Sequence, residues 1–166
     1  MGEYCVVVAD GVRARFFTLE AAQLPGMESG PNLVEKECLI NPEGETPGHE
    51  LWTGDKSGRS ESSSGSPSHV YDDHRGRHMD EFMRRFASKV TGEAMRLAQE
   101  QKAKQLVLVS AKRMLGFLRE SLVVPPKANI KVHELAKDLT QLSPQDLHNH
   151  LDNAGLIPKR KQPSAK

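Results

Sequence analysis

The stretch "YCVVVADGVRARFFTLE", residues 4–20, constrains the fold most tightly. Two short apolar runs flank Asp10-Gly11. An Asp-Gly pair accepts the positive φ angles of a tight turn, so this pattern predicts an antiparallel hairpin. In the second run Ala14, Phe16 and Thr18 share one face, and Arg15, Phe17 and Leu19 the other. Both faces carry a large apolar group, so at least one end of the strand is covered on both sides.

The rest of the chain has to supply that cover. "QLPGMESGPN" is a turn-rich loop, and "LVEKECLIN" alternates as a half-buried third strand. From Asn41 to about His74 the composition turns to Gly, Ser, Pro and charge, with "SGRSESSSGSPS" at its centre. Such a segment buries too little apolar surface to offset its ordering entropy. It reads as a mobile loop over about 41–77, with Trp52 as the aromatic that could pin it to the body. A helix is expected from about Met79–Asp80. Met79, Phe82, Met83, Phe86, Val90, Ala94, Leu97 and Ala98 recur on one face, and Arg84, Arg85, Lys89, Glu93 and Arg96 lie largely on the other.

"QLVLVS" then reads as a fully buried fourth strand, with Ser110 expected to cap the helix "AKRMLGFLRESL". Pro125 and Pro126 break the chain before a short strand near Ile130–Glu134. "LSPQDLHNHLDNAGLIP" is a helix with Ser143 as N-cap, Pro144 at its first position and Gly155 at its end. The order is β-β-β, long loop, α-β-α-β-α. Strands joined through helices lie parallel to a neighbour. The expected fold is therefore a single α/β domain over residues 1–157, with a mixed five-stranded sheet covered by helices. Residues 158–166 read as a basic disordered tail.

Net charge is +1 over 166 residues, with 37% hydrophobic and 27% charged side chains. One core of that size needs no staples, and any affinity for a polyanion must come from a local patch. Cys5 and Cys38 sit in apolar runs and read as buried free thiols. No apolar run is long enough to cross a bilayer, and the N-terminus enters a strand directly. A cytoplasmic chain without a membrane role is expected.

Four pieces in this order carry a resemblance: "VVVADGVRARFF", "DHRGRHMDEFMRRFASKV", "QLVLVSAKRMLGFLRESL" and "LSPQDLHNHL". Together they resemble the bacterial host attachment protein family. That family is similar to the central domain of the archaeo-eukaryotic class 1 release factors, and the resemblance implies the same mixed α/β sheet. In those factors a mobile loop ends in Gly-Gly-Gln just before a long basic helix, and it promotes peptidyl-tRNA hydrolysis at the ribosome. By the resemblance, the Gly54–His78 loop and the helix near Met79 take the corresponding place, and Arg84, Arg85 and Phe86 match the start of that helix. No Gly-Gly-Gln occurs here, so the hydrolase activity is not carried over. A chain read as cytoplasmic implies an indirect role in attachment.

These residues offer three kinds of chemistry. His74 and His78 lie one helical turn apart in number, flanked by Asp73 and Asp80, which is the spacing of a two-histidine metal or acid–base pair. Gly76 between them, before the expected helix, removes the guarantee of a shared face, so no metal site is assigned. Ser110 follows a buried strand but lacks the Gly-x-Ser-x-Gly that a nucleophile elbow requires. His148 and His150 read as surface or capping residues. No Walker or dinucleotide motif implies a cofactor. Arg75, Arg77, Arg84, Arg85 and Lys89 instead form a dense cationic cluster, extended by Lys56 and Arg59 and by Lys159, Arg160 and Lys161 in the tail. Arginine forks suit phosphate oxygens, and a basic loop can fold onto irregular RNA. The leading expectation is a non-enzymatic module for structured RNA or the ribosome. The alternatives are a hydrolase of peptidyl-tRNA or RNA using His74, His78 and Asp73, and a protein-interaction domain. Ligand and oligomeric state are not fixed by sequence.

Overall fold

The computed structural model describes residues 3–42 and 68–163, with positions 68–76 described by backbone alone. The strands are β1 (Tyr4–Ala9), β2 (Arg13–Glu20), β3 (Asn32–Ile40), β4 (Gln105–Ser110) and β5 (Lys131–Ala136). The helices are α1 (Ser68–Glu100), α2 (Lys112–Ser121) and α3 (Pro144–Asn153), with a 3-10 turn at Pro126–Ala128. The strands form one sheet in the order β3-β2-β1-β4-β5. β1 pairs antiparallel with β2 and parallel with β4, and β5 is parallel to β4. This is the mixed five-stranded α/β sheet expected from the order of elements.

The hairpin forms as predicted, by a different device. Among the described glycines only Gly155 has a positive φ, so Gly11 does not supply the turn. Asp10 does: its Oδ1 accepts from the backbone N–H groups of Val12 and Arg13, each at 2.7 Å. Carboxylates that satisfy nearby backbone donors in this way are a common reason for Asp in turns. The other carboxylate oxygen accepts from the Thr140 hydroxyl at 3.1 Å. Arg15 reinforces the link by donating from Nη1 to the carbonyls of Thr140 and Leu142 at 3.0 and 2.6 Å. The N-terminal hairpin is thereby tied to the segment that leads into α3.

The two central strands are buried on both faces. Cys5, Val7, Ala9, Phe16, Leu106 and Leu108 pack beneath Phe86, Val90, Ala94 and Ala98 of α1 and Met114 and Leu118 of α2. On the opposite face Val6, Val8, Phe17, Val107 and Val109 meet Leu147 and Leu151 of α3. Burial pushes the Cys5 thiol up to about 12, which makes it inert at neutral pH. Cys38 is not buried as expected: it is exposed, because β3 is an edge strand with one open face.

Three local expectations need correction. First, α1 begins at Ser68, well before Met79, so the last ten residues of the expected loop are helical. Gly76 reads as a break in sequence, but one glycine costs a helix only about 1 kcal/mol. Burial of Phe86, Val90, Ala94, Leu97 and Ala98 on the same helix far outweighs that. The expected loop upstream of Ser68, including Trp52, lies outside the described residues. Second, Ser110 does not cap α2. Its hydroxyl is buried and donates to the Ala9 carbonyl at 2.7 Å, stitching β4 to β1, while Ala111 occupies the cap without a side-chain bond. Third, residues 158–163 do not form a free tail. Lys161 and Gly30 exchange backbone hydrogen bonds at 2.8 and 3.1 Å, and Arg160 Nε donates to Asn32 Oδ1 at 2.8 Å.

That returning segment explains His148, which is 1% exposed rather than at the surface. The ring's Nε2 lies 2.9 Å from the Pro158 carbonyl, which fixes Nε2 as the donor, and Nδ1 has no partner among the described residues. α3 itself follows the predicted pattern: Ser143 Oγ accepts from the Asp146 N–H at 3.2 Å, and Gly155 takes φ +74 just past the helix. α1 ends less conventionally. Its last carbonyls are met by Ala103 N–H to Ala98 at 2.8 Å and Lys102 N–H to Gln99 at 3.1 Å. This is the closure that usually places glycine in the left-handed position. Here Lys102 holds it, at φ 56, at a cost of about 1 kcal/mol relative to glycine.

Two outcomes follow from this packing. Phe86→Ala should destabilise the chain by about 3–5 kcal/mol, read as a lowered urea midpoint with an unchanged m-value. Burial lowers the His148 pKa from its ordinary 6.5. The folded state therefore binds fewer protons than the unfolded one at mildly acid pH. The stability linked to this group is fully present above pH 6.5 and is lost as pH falls below it. Urea midpoints should decline from about pH 6.5 toward 5, and His148→Gln should flatten that decline; an identical acid limb in both proteins would contradict it.

Candidate nucleic-acid interface

α1 is amphipathic because its buried stripe leaves the opposite side unpacked. Phe86, Ala87, Val90, Ala94 and Ala98 face the sheet. At about 100° per residue, positions 77, 81, 84, 85, 88 and 89 fall within an outward arc of about 140°. All six are exposed. Four are basic, namely Arg77, Arg84, Arg85 and Lys89, and one is acidic, Glu81.

Two of the arginines lie over aromatic rings. The Arg84 guanidinium lies 5.2 Å from the Phe117 ring centroid on α2, and the Arg85 guanidinium lies 5.4 Å from that of Phe82. Stacking on an aromatic face orients a guanidinium and consumes none of its N–H donors. Arg85 also reaches Glu81 at 3.7 Å, a loose exposed pair. Asp80 pairs with Arg113 of α2. Among the residues whose side chains are described, Arg77, Arg84 and Lys89 form no ion pair.

The stripe ends one turn later. Arg96 is locked by Glu93, Glu100 and Glu37, and the bonds to Glu93 and Glu37 push its pKa up further. The bond shared with Glu93 holds Glu37 above its ordinary carboxylate range, while Arg96 holds Glu93 below it. The cationic region thus ends at Lys89, about three turns before the end of the helix.

The remaining predicted residues are distributed as follows. Asp73, His74 and Arg75 lie on the early turns of α1, where the backbone alone is described. The helix is continuous through Gly76, so positions 74 and 78 are one turn apart on it. His78 is exposed, with its ring 4.7 Å from that of Phe82. Among the described residues no group of three His, Cys, Asp or Glu side chains could hold a metal ion. Lys56 and Arg59 lie outside the described residues, and Arg160 is drawn to Asn32. Sequence reasoning missed Arg113 and Phe117, which complete this face from α2. The available signal was their position on the polar side of "KRMLGFLRES", but only tertiary packing brings α2 alongside α1.

The model of a family described as "Protein required for attachment to host cells" matches residues 5–151. No curated protein matches the chain. Among solved structures, an archaeal protein matches at 15% identity with a TM-score of 0.36. The match covers 92% of this chain and 39% of that one, and at that score it carries no argument. Among the described residues, no helix is long and apolar enough to cross a membrane.

Proposed function

We propose that this chain, which belongs to the host attachment family, is a non-enzymatic module that binds structured RNA through the outer face of α1. One observation carries the reading: four exposed cations against one acid on the six outward positions between 77 and 89, held on a helix rather than on a loose loop. Its physical basis is ordinary. Fixed guanidinium forks need little reordering to meet phosphate oxygens, and Arg84 and Arg85 are already oriented by Phe117 and Phe82. Phosphate contacts of this kind position a nucleic acid without reading its sequence. The ribosome, rich in exposed phosphate, is the partner class that such a surface suits. Participation in attachment to host cells is then indirect, through the RNA-bound state.

The reading is tested by filter binding of ribosomal RNA over a salt series. Arg84→Glu with Arg85→Glu should weaken binding by at least about tenfold at low salt and reduce the slope of log K against log salt by about 2. Arg96→Gln should leave both unchanged, because that guanidinium is already occupied by three carboxylates. Equal losses in both variants, or no RNA binding at low salt, would sink the proposal and leave a protein partner as the better reading of this face.

A further inference from the structure

The far end of α1 carries a second cationic region. An open cleft of about 420 Å³ lies between the last turn of α1, the 102–104 turn into β4 and the 3-10 turn before β5. Lys102, Lys104 and Lys127 line it, and no Asp or Glu does. All three lysines are exposed, and among the described residues none is in an ion pair. Beneath them the lining is apolar: Ala98 and Ala103 are buried and Ile130 is half-buried. The cleft therefore has a cationic rim over a small apolar floor.

The backbone supplies an independent observation. Among the described residues, the non-glycine positions with positive φ are Lys102 and Asn129, and both line this cleft. Asn129 is unremarkable there, since asparagine tolerates the left-handed region. Lys102 is not: it occupies the position at the end of α1 where glycine would close the helix without strain. Strain kept at a residue whose side chain borders a cavity points to a use for that side chain.

We propose that this cleft binds a small phosphorylated ligand with a compact planar part, of the nucleoside-monophosphate kind. The lysines act as point charges on the phosphate. The planar part lies on Pro125, Ala128 and Ile130, which are half-buried in the lining, and the amides of Gln99 and Asn129 lie within the same lining to orient it. The volume falls within the range of small-molecule sites. The site is separate from the proposed RNA-binding face: residues 84 and 100 of α1 stand about 24 Å apart along the helix axis.

Isothermal titration of the full chain with AMP, adenosine and inorganic phosphate at low salt tests this. AMP should bind, with adenosine and phosphate each weaker by at least about tenfold. Lys127→Gln should weaken AMP by roughly tenfold. Lys102→Gly should weaken AMP similarly while raising the melting temperature by about 3 °C. That opposite pair of effects separates a binding role from a folding role. Arg84→Glu with Arg85→Glu should leave AMP affinity unchanged. Absence of AMP binding at millimolar concentration, undiminished binding by Lys102→Gly, phosphate binding as tightly as AMP, or loss in the α1 arginine variant would each overturn the assignment.

Discussion

Burial of β1 and β4 on both faces is the constraint on which the rest of the structure depends. From Cys5 to Ala9 and from Leu106 to Val109 every side chain is fully buried. Their backbone groups are satisfied by β2 and β5, so the pair needs no solvent on any side. That arrangement demands apolar cover above and below. α1 and α2 provide it on one face and α3 on the other. α1 can pack only one stripe against the sheet, so its polar side is necessarily turned outward. The exposed basic face is a by-product of how the core is closed.

The charges on that outward side are not uniform. Before Gly92, Arg77, Arg84 and Lys89 form no ion pair among the described side chains, whereas from Glu93 onward Arg96 is held by three acids. An even scatter of opposite charges would give a merely solvated face. Separation of a cation-rich stretch from a neutralised one instead leaves a bounded patch on a chain whose net charge is only +1. Bounded patches concentrate field where the whole molecule has little. The lysines at the other end of α1 form a second such region, divided from the first by the neutralised turn.

Much of the fold was legible in the sequence because it rests on local patterns. The β2 alternation, the continuous apolar run of β4 and the Ser143-Pro144 helix start are each dictated by residues close in number, and all three hold. What escaped depends on non-local contacts. Ser110 looked like a cap, but parallel pairing with β1 buries its hydroxyl against Ala9. His148 looked superficial, yet residues 156–163 fold back over it. Its place between Leu147 and Leu151, on the flank of the apolar stripe, was the one available signal. Of the candidate site, Arg77, Arg84, Arg85 and Lys89 were identifiable from composition and helical period. Their partners on α2 were not, since nothing local sets Phe117 beneath Arg84. Lys102 escaped for a different reason: helix ends are recognised by glycine, and here a lysine performs the closure.

The backbone pairing of Lys161 with Gly30 also sets an orientation for anyone handling this protein. Leu156 and Ile157 pack with α3, and the bridge then carries the chain to the loop before β3. Anything joined beyond residue 163 departs from the α3 side of the sheet, opposite the layer that holds α1. A surface-immobilised or fused protein anchored there presents the arginine face outward, toward solution, with the sheet standing between the anchor and whatever that face meets.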